Sequence, residues 1–539
     1  MNKHIDILFV VPSFRPLMQE ESIGTLILSK IVKNSGYSSE IIRYWQADET
    51  MADYSIFKNR IIASIEAYNP KIVSFYCRST EYHVCIDLAQ KVKQTLPKSI
   101  VLFGGPQAEL SAEETLSTFP FVDYISSGEG ENVIVPILEF ILNQDNAKKT
   151  NPTIPGFVYR NENNIVIKNK KQEKLPNNFK RGFNYYDIIP KEIMLNSTSV
   201  CIDVGRGCPF SCSFCSTKTF WGQKFRLRDI DETLDEIEYV IKHYRIKCFS
   251  FEHDLFTFRK DKVIEFCKKL KDRKLDIKWD CSSRIDTIDK ETIDIMVDSG
   301  LYGIYIGIET GSNNLQKIIK KNILIEDTVD KVNHLFSKGL NITISFIYGF
   351  PQENYCDLEH TLQLIYKYIK IGIRNIQLHR LSFEIGTELY VQYKNSLIPP
   401  LDFPSVIGFP QLKQLVLSHS NVFPNYLDYP SDLRKDFVLL PFFIKMAIVS
   451  PKTFDVLLSI LLNYGLQIVD VYRLFSEVCS DVINRLMPTI THKRQEKCPS
   501  IYLFFFEIFI NHIIENHSNN FILTTKEKSK LLQTLRDEH

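Results

Sequence analysis

Residues 205–215 read Gly-Arg-Gly-Cys-Pro-Phe-Ser-Cys-Ser-Phe-Cys, and this stretch predicts the fold and chemistry of the middle of the chain. Cys208, Cys212 and Cys215 follow an apolar run, which places them on a loop after a strand. Three thiolates at this spacing can bind three irons of a cubane and leave the fourth iron open. A structural cluster or zinc site is normally closed by a fourth nearby ligand, and Cys201 lies inside the strand. Zinc completed by a remote ligand is the alternative interpretation.

A regular alternation of strands and helices extends from this loop towards the C-terminus. The predicted strands are Ser199–Gly205, Lys247–Glu252, Asp276–Cys281, Tyr302–Glu309, Asn341–Tyr348 and Asn375–Leu381. Six strands fall short of the eight that close a full barrel, so residues 196–398 are predicted to form a partial (β/α)6 barrel. Functional groups in such folds lie at the carboxyl ends of the strands.

A second alternation precedes the loop. Its predicted strands are Ile5–Val11, Ser39–Tyr44, Lys71–Tyr76, Ser99–Phe103 and Tyr124–Ser126. Residues 1–143 are therefore predicted to form a doubly wound, Rossmann-like parallel sheet. Residues 144–195 are polar and predict a linker with one or two strands. Residues 399–539 predict a C-terminal helical domain, which is a candidate substrate lid.

Composition narrows the classes of partner. The 539 residues carry 65 basic and 64 acidic side chains, and this balance does not favour a nucleic-acid partner. The sequence shows no signal peptide and no apolar run long enough to span a bilayer, which predicts a cytoplasmic protein. Twelve cysteines in such a chain do not indicate a disulfide framework.

The strand ends of the two alternations carry the candidate binding residues. In the first they are Ser13; Arg78, Ser79 and Thr80; Gly104 and Gly105; and Gly128, Glu129 and Gly130. In the second they are Glu252, Ser283, Arg284, Gly307, Glu309, Ser312, Gly349 and Pro351. Glycines at the carboxyl edge of a parallel sheet allow a ligand to approach the backbone closely.

The cysteine loop resembles the signature of the radical S-adenosylmethionine superfamily, Cys-x3-Cys-x-aromatic-Cys, with Phe214 in the aromatic position. The resemblance covers about residues 196–390. It implies a 4Fe–4S cluster whose open iron binds S-adenosylmethionine, and an external one-electron reductant such as flavodoxin or ferredoxin. It also implies that Arg284 pairs with the carboxylate of S-adenosylmethionine, that Glu309 contacts its ribose or amino group, and that residues 349–351 form the adenine-side turn.

The first 140 residues resemble the cobalamin-binding domain of cobalamin-dependent radical enzymes. Gly104-Gly105-Pro106 and Gly128-Glu129-Gly130-Glu131 carry this resemblance. Many such domains supply a histidine to the lower face of cobalt from the loop after the first strand, but residues 12–24 contain no histidine. The resemblance therefore implies base-off cobalamin, either without a protein ligand or with a polar side chain such as Arg78 or Arg15 beneath the cobalt.

These resemblances imply a C-methyltransferase that acts on an unactivated carbon of a small-molecule, lipid or peptide substrate. Radical rearrangement or cyclisation with the same cofactors and a non-catalytic cofactor sensor are the alternatives. A transfer-RNA methylthiotransferase is disfavoured, because the first domain has only Cys77 and Cys85 and the C-terminal region is helical. His253 and His379, at strand ends, are candidates for a general base, and a structural histidine is an equal alternative for each.

Overall fold

The structure is a computed structural model that describes residues 5–12, 22–44, 54–143, 152–399, 410–431, 433–434, 438–486, 499–515 and 522–538. The chain divides into two compact units. Unit 1 comprises Met1–Ser282, Ile295–Leu301 and Ser382–Asp428, and unit 2 comprises Ser283–Asp294, Tyr302–Leu381 and Tyr429–His539. This division differs from the predicted domains, because it separates the two halves of the second alternation.

The first sheet of unit 1 confirms the predicted doubly wound architecture. Within the described residues its strands are β1 (Ile7–Pro12), β2 (Ser39–Tyr44), β3 (Ile72–Tyr76), β4 (Ile100–Gly104), β5 (Tyr124–Ser126), β6 (Phe157–Arg160) and β7 (Val166–Lys168), in the order β2-β1-β3-β4-β5-β6-β7. Strands β1 to β5 pair in parallel, and β6 and β7 continue the sheet antiparallel. The strands predicted in the polar segment thus belong to this sheet.

Helices cover both faces of the first sheet, which explains its continuous apolar strands. They are α1 (Ile23–Asn34), α2 (Tyr54–Tyr68), α3 (Tyr82–Thr95), α4 (Pro106–Leu110), α5 (Ala112–Thr118) and α6 (Ile134–Leu142). All six residues of β1 are buried, as expected for a strand with a core on each side. Phe57 and Phe75 pack in one core, and Phe9 and Ile137 pack in the other.

The second alternation contributes strands to both units. In unit 1, α7 (Lys191–Asn196) precedes β8 (Val200–Asp203), β9 (Gly205–Arg206), α8 (Thr217–Trp221), β10 (Arg226–Leu227), α9 (Ile230–Tyr244), β11 (Cys248–Glu252), α10 (Lys260–Asp272) and β12 (Lys278–Ser283). Strand β11 pairs in parallel with β8 and β12. Strands β9 and β10 form an antiparallel ribbon that encloses the cysteine loop.

Unit 2 holds the other half of the alternation and the C-terminal helices. After α11 (Lys290–Asp298) come β13 (Leu301–Glu309), α12 (Asn313–Ile318), α13 (Glu326–Ser337), β14 (Asn341–Tyr348), α14 (Tyr355–Ile371) and β15 (Asn375–Arg380). Strand β14 pairs in parallel with β13 and β15. The described chain therefore has the predicted parallel strands β8 and β11 to β15, and the mixed α/β class is confirmed.

Residues after β15 return to unit 1 before the C-terminal helices begin. Helices α15 (Glu388–Tyr393) and α16 (Lys413–Ser418) lie in unit 1. Val416, Val422 and Phe423 are fully buried in the core of the first sheet, where the Phe423 ring lies 5.9 Å from that of Tyr82. The sequence placed these residues in the C-terminal helical domain, but their apolar side chains complete the first domain.

The remaining helices belong to unit 2. They are α17 (Leu440–Val449), α18 (Pro451–Asn463), α19 (Ile468–Leu486), α20 (Pro499–Glu515) and α21 (Thr525–Glu538). Within the described residues no single helix is both long and apolar enough to cross a membrane. Helix α18 and residues 468–483 together have the length and composition of a membrane-spanning segment, but the two helices are bent by 111° relative to each other.

Candidate active site

The cysteine loop is anchored at its start by an aspartate that follows β11. The Gly207 backbone N–H donates to Asp254 Oδ2 at 2.7 Å, and the Thr217 hydroxyl donates to Asp254 Oδ1 at 3.3 Å. Gly207 has a φ of 84°, and a side chain there would collide with the Lys224 carbonyl. The glycine before the first cysteine is therefore required by the turn that starts the loop.

A segment that follows β15 supports the loop from another side. The Leu389 backbone N–H donates to the Ser213 carbonyl at 3.1 Å, and the Thr219 hydroxyl donates to the Gly386 carbonyl at 2.9 Å. Phe214, the aromatic residue of the signature, is half-buried within this supported loop. The loop is thus held at its centre as well as at its ends.

The three cysteines match the ligand set of a 4Fe–4S cluster, whose fourth iron needs no protein ligand. Burial raises the pKa of the Cys215 thiol, and the nearby Cys212 and Asp254 raise it further, so a cationic group is needed to stabilise the thiolates. Within the described residues no three His, Cys, Asp or Glu side chains lie close enough to hold one metal ion. Thiolates of a cubane bind different irons and therefore stand farther apart than the ligands of a single ion.

A cavity of about 850 Å³ in unit 1 is lined by the carboxyl ends of strands from both alternations. From the first sheet the lining includes the predicted residues Arg78, Thr80, Gly104, Gly105, Gly128, Glu129 and Gly130. From the second alternation it includes Asp203, Arg206, Glu252, His253, Asp254 and Ser282. The structure thus brings the predicted cobalamin residues together with the strand ends that flank the cysteine loop. Ser13 lies outside the described residues.

The cavity is large and its lining includes both apolar and charged side chains. Phe9, Ile27 and Leu102 line one part of the wall, whereas charged side chains line the part nearest the cysteine loop. A Cβ atom built on Gly104 would meet no atom within 4 Å and would enter open space. Gly105 has a φ of 102°, and a Cβ atom there would lie 2.8 Å from the Cys77 carbonyl oxygen. The cradle therefore fits cobalamin lying against glycine backbone.

The loop after β3 is fixed from inside the protein. Arg78 Nη2 lies 3.1 Å from Glu81 Oε1, and the Thr80 hydroxyl donates to Glu81 Oε2 at 2.5 Å. The Tyr426 hydroxyl lies 2.9 Å from the Ser79 carbonyl and 2.8 Å from the Thr80 carbonyl. Ser79 supports the loop through its carbonyl, and Arg78 lines the cavity as the candidate group beneath the cobalt.

His253 has the contacts of a structural histidine. Its Nδ1 accepts a hydrogen bond from the Leu255 N–H at 2.9 Å, so Nε2 carries the proton and donates to the Arg226 carbonyl at 3.1 Å. Burial lowers its pKa to about 4. A side chain on Gly205 would collide with its ring. With both nitrogens engaged, His253 is poorly suited to act as a general base, and these contacts favour the structural alternative.

We expect the free energy of unfolding to fall as the pH drops from about 6.5 to about 4, because unfolded His253 binds a proton that the folded state excludes. The contribution is at most about 3 kcal/mol. Replacement of His253 by Gln should flatten this part of the profile, as measured by urea unfolding at several pH values. The exposed His243→Gln variant is the control, and an equal change in both variants would contradict the assignment.

The other candidate base, His379, is exposed within unit 2. It lies on β15, and its Nε2 is 3.1 Å from Gln377 Oε1. Its exposure leaves the ring accessible to a substrate, so His379 stays the better of the two candidates.

The predicted S-adenosylmethionine residues Ser283 and Arg284 stand at the start of unit 2. Arg284 Nε and Nη2 donate to the two carboxylate oxygens of Asp286 at 3.0 and 2.8 Å, and Nη2 also donates to the Lys321 carbonyl at 2.7 Å. The Ser283 hydroxyl donates to the Arg284 carbonyl at 3.1 Å. A ligand carboxylate must therefore share Arg284 with Asp286.

Glu309 forms a buried ion pair that the sequence did not indicate. Lys321 Nζ lies 2.5 Å from Glu309 Oε1, and both side chains are buried. Glu309 has a φ of 71°, a strained value for a residue with a side chain, and a Cβ atom on Gly307 would lie 2.9 Å from Lys321 Nζ. Gly307 therefore makes room for the pair. No motif marks Lys321, which approaches only through the turn after α12.

Ser312 and Gly349 have local structural roles in unit 2. The Ser312 hydroxyl accepts from the Leu315 N–H at 3.2 Å, which caps α12, and donates to Asp357 Oδ1 at 2.5 Å. The Gly349 N–H donates to Glu353 Oε2 at 2.5 Å, and Arg434 Nε donates to the Gly349 carbonyl at 2.6 Å.

Glu353 and Arg434 make the turn at Gly349 and Pro351 rigid. Gly349 has a φ of 84°, and a Cβ atom there would lie 2.6 Å from Arg434 Nε. Arg434 Nη2 also donates to the Leu381 carbonyl at 3.0 Å, so this arginine joins the ends of β14 and β15. The Gly-Phe-Pro-Gln-Glu order around Pro351 was the available signal for Glu353, whereas nothing in the sequence marked Arg434.

We expect the contribution of Glu353 to the free energy of unfolding to fall as the pH rises from about 4.5 to about 8, because burial raises the pKa of Glu353 to about 8. This change opposes the contribution of His253 where the two pH ranges overlap. The folded state retains a proton in that window which the unfolded state releases, and the effect is at most about 5 kcal/mol. The Glu353→Gln variant should lose this dependence in pH-resolved urea unfolding. The exposed Glu515→Gln variant is the control, and an unchanged Glu353→Gln profile would contradict the prediction.

Two family models match the regions that surround the cavity. The radical SAM superfamily model matches residues 202–365, and the B12 binding domain model matches residues 17–138. These ranges contain the cysteine loop and the glycine cradle, respectively. The two models therefore correspond to the two sets of residues that line the cavity, one from the first sheet and one from the second alternation.

Curated relatives and solved structures resemble the chain over much of its length. An uncharacterized methyltransferase of Pyrococcus horikoshii is 27% identical over 64% of this chain and 73% of its own length. The anaerobic magnesium-protoporphyrin IX monomethyl ester cyclase of Rubrivivax gelatinosus is 25% identical over 62% of this chain and 60% of its own length.

Among solved structures, the cobalamin-dependent S-adenosylmethionine radical enzyme OxsB with aqua-cobalamin bound shares the fold. Its TM-score is 0.60, and the match covers 99% of this chain and 84% of that one at 14% identity. The two matched domains, the cysteine loop and the glycine cradle thus lead to one assignment. This enzyme therefore combines a radical SAM domain with a B12 binding domain, and the cofactors of such domains are a 4Fe–4S cluster, S-adenosylmethionine and cobalamin.

Proposed function

We propose that this enzyme is a methyltransferase that methylates an unactivated carbon of its substrate. The observation that carries the proposal is the cavity of about 850 Å³, where the glycine cradle of the first sheet meets the strand ends that flank the cysteine loop. A single cavity lined by both sets of residues allows chemistry that needs both cofactors near one substrate. The likeness to a methyltransferase of Pyrococcus horikoshii supports methylation over other outcomes.

When bound, the cluster with S-adenosylmethionine supplies a 5′-deoxyadenosyl radical, and cobalamin supplies a methyl group. Cys208, Cys212 and Cys215 hold the cluster, and Asp254 orders their loop through the Gly207 N–H. The apolar part of the cavity wall would limit the contact of reactive species with water and help to orient the reactants.

In unit 2, Arg284 and Glu309 are the groups that we propose for the carboxylate and amino ends of S-adenosylmethionine. Asp286 and the Lys321 carbonyl hold Nε and Nη2 of Arg284, so a ligand carboxylate would share the charge of this arginine with Asp286. Gly349 and Pro351 form the turn proposed for the adenine side, and Glu353 fixes its backbone. Ser283, Gly307 and Ser312 shape these contacts without a direct chemical role.

The proposed reaction balances with two molecules of S-adenosylmethionine and two electrons for each methyl group, one electron for cleavage of the first molecule and one to reduce the cobalt before it is methylated again. One molecule ends as 5′-deoxyadenosine and methionine, with the hydrogen taken from the substrate carbon. The other ends as S-adenosylhomocysteine after it has given its methyl group. We propose a flavodoxin or ferredoxin as the electron donor, a cytoplasmic location, and a peptide, lipid or small-molecule substrate.

Cyclisation with the same cofactors is the second candidate. It is favoured by the likeness to the cyclase of Rubrivivax gelatinosus, of which this chain covers 60%. The two candidates differ in a measurable product, because cyclisation forms 5′-deoxyadenosine without S-adenosylhomocysteine.

The test is anaerobic reconstitution with iron, sulfide and hydroxocobalamin, followed by reduction in the presence of methyl-labelled S-adenosylmethionine. We expect stoichiometric cobalamin binding, a cob(II)alamin electron paramagnetic resonance spectrum without nitrogen superhyperfine splitting, and S-adenosylhomocysteine formation that requires cobalamin. Formation of 5′-deoxyadenosine alone would overturn methylation and favour cyclisation. Absence of both products would overturn both candidates and favour a cofactor sensor.

A further inference from the structure

We propose that Glu129 is a positioning residue that fixes the cysteine loop against the cobalamin-binding edge of the first sheet. Strands β9 and β10 begin and end the loop that carries the three cysteines, and their register places Arg206 directly opposite Arg226. Any movement of this ribbon would therefore move all three cysteines together.

The two arginines require an anion between them. Like charges directly opposite each other on neighbouring strands repel, and both guanidinium groups are buried. Glu129 Oε1 lies 2.6 Å from Arg226 Nη1 and 3.7 Å from Arg206 Nη1. The Glu129 side chain is only 1% exposed, so its charge is directed wholly to these partners.

The second oxygen of Glu129 is also used within the protein. Its Oε2 accepts from the Leu175 N–H at 2.6 Å, and the Leu175 carbonyl accepts from Arg226 Nη1 at 3.0 Å. Both carboxylate oxygens of Glu129 thus contact groups of the protein, although the residue also lines the cavity. The sequence predicted Glu129 as a cofactor contact, and its geometry favours an indirect role.

Further acidic and aromatic side chains contact Arg206 and Arg226. Arg206 Nη2 lies 2.5 Å from Glu131 Oε1 and 3.1 Å from Asp203 Oδ2. The Trp221 ring centre lies 5.3 Å from the Arg206 guanidinium carbon and 5.8 Å from that of Arg226. Glu129 and Glu131, the two acidic residues of the 128–131 motif, therefore both form ion pairs with the ribbon of β9 and β10.

The loop that carries Glu129 is itself unable to shift. Gly128 has a φ of 95°, and a Cβ atom there would lie 2.5 Å from Gln172 Nε2. A Cβ atom on Gly130 would lie 2.9 Å from Leu28. Close packing on both sides of Glu129 makes the ion pairs a rigid link between the cobalamin edge and the cysteine loop. This inference requires both cofactors but no particular reaction.

The test measures the distance distribution between cob(II)alamin and the reduced cluster by pulsed electron paramagnetic resonance in the full reconstituted chain. We expect a narrow distribution in the wild type and one at least about twofold broader in Glu129→Gln. The double variant Glu129→Gln/Arg226→Gln removes the positive charge of Arg226 together with the negative charge of Glu129, so no unpaired charge is left in the core. We expect it to recover thermal stability and to keep the broad distribution. Asp261→Asn, which breaks the exposed pair with Arg259, is the matched control and should remain narrow.

A wild-type distribution in Glu129→Gln with a lowered unfolding midpoint would overturn the inference, because it would show a purely structural role. Equal broadening in Asp261→Asn would also overturn it. Failure of the wild type to bind cobalamin would overturn both this inference and the proposed function. A broadened Glu129→Gln distribution in a protein that transfers no methyl group would support the inference and defeat only the proposed function.

Discussion

Replacing Cys212 by Ala abolishes the formation of 5′-deoxyadenosine, with an expected loss of at least about 10³-fold. The loop is expected to supply one thiolate to each of three irons, so each cysteine would bind a different iron. Loss of one thiolate therefore leaves two of the four irons without a protein ligand, and we expect the cubane to dissociate. Iron content should fall well below the wild-type value of about four per chain.

The measurement combines iron analysis, the visible absorption of the cluster and chromatographic detection of 5′-deoxyadenosine after anaerobic reduction. Cys356→Ala is the matched control, because Cys356 is exposed at the start of α14 and distant in sequence from the loop. Its iron content and product yield should equal those of the wild type. A Cys212→Ala protein that keeps a full cluster would show that another residue completes the site.

Substitutions at Gly104 and Gly105 should separate cofactor binding from folding. A Cβ atom on Gly104 enters open space in the cavity, so Gly104→Val should leave the stability of the cofactor-free protein unchanged. It should weaken cobalamin binding by about 30-fold or more, because the added methyl groups occupy the space beside the glycine backbone. Absorption titration with hydroxocobalamin measures this effect.

Gly105→Ala should instead lower the stability of the protein before any cofactor is added. Its φ of 102° is strained for alanine, and the new Cβ atom would lie 2.8 Å from the Cys77 carbonyl oxygen. We expect a loss of about 2–4 kcal/mol in the free energy of unfolding, measured by urea denaturation of the cofactor-free protein. If both variants bind cobalamin with wild-type affinity, the cavity is not the cobalamin site.

The sequence predicted those parts of the molecule that depend on local pattern. Alternating apolar strands and helices predict the first sheet. Because helices cover both faces of this sheet, residues 7–12 are buried and their sequence is continuously apolar. The cysteine spacing likewise predicts the cluster site, because short spacing on one loop brings thiolates together without help from distant residues. These features need no knowledge of tertiary contacts.

Long-range electrostatic partners could not be predicted in this way. Lys321 and Arg434 reach Glu309 and Gly349 through folding of segments whose local sequences carry no motif. The ion pair of Glu129 could not be predicted for the same reason, since its partner Arg226 is 97 positions away on another element. His253 was ambiguous until its two backbone partners fixed its tautomer.

The return of residues 410–428 to the first domain sets the order in which the chain can mature during synthesis. Phe423 and Tyr426 fill the same core as Tyr82 and Phe103, which are made more than three hundred residues earlier. Domains usually fold as they leave the ribosome, and contacts this distant in sequence form late. We expect the nascent first domain to keep an exposed apolar face until this segment emerges, so chaperone protection should last, and cofactor loading should wait, until residues 410–428 have been made.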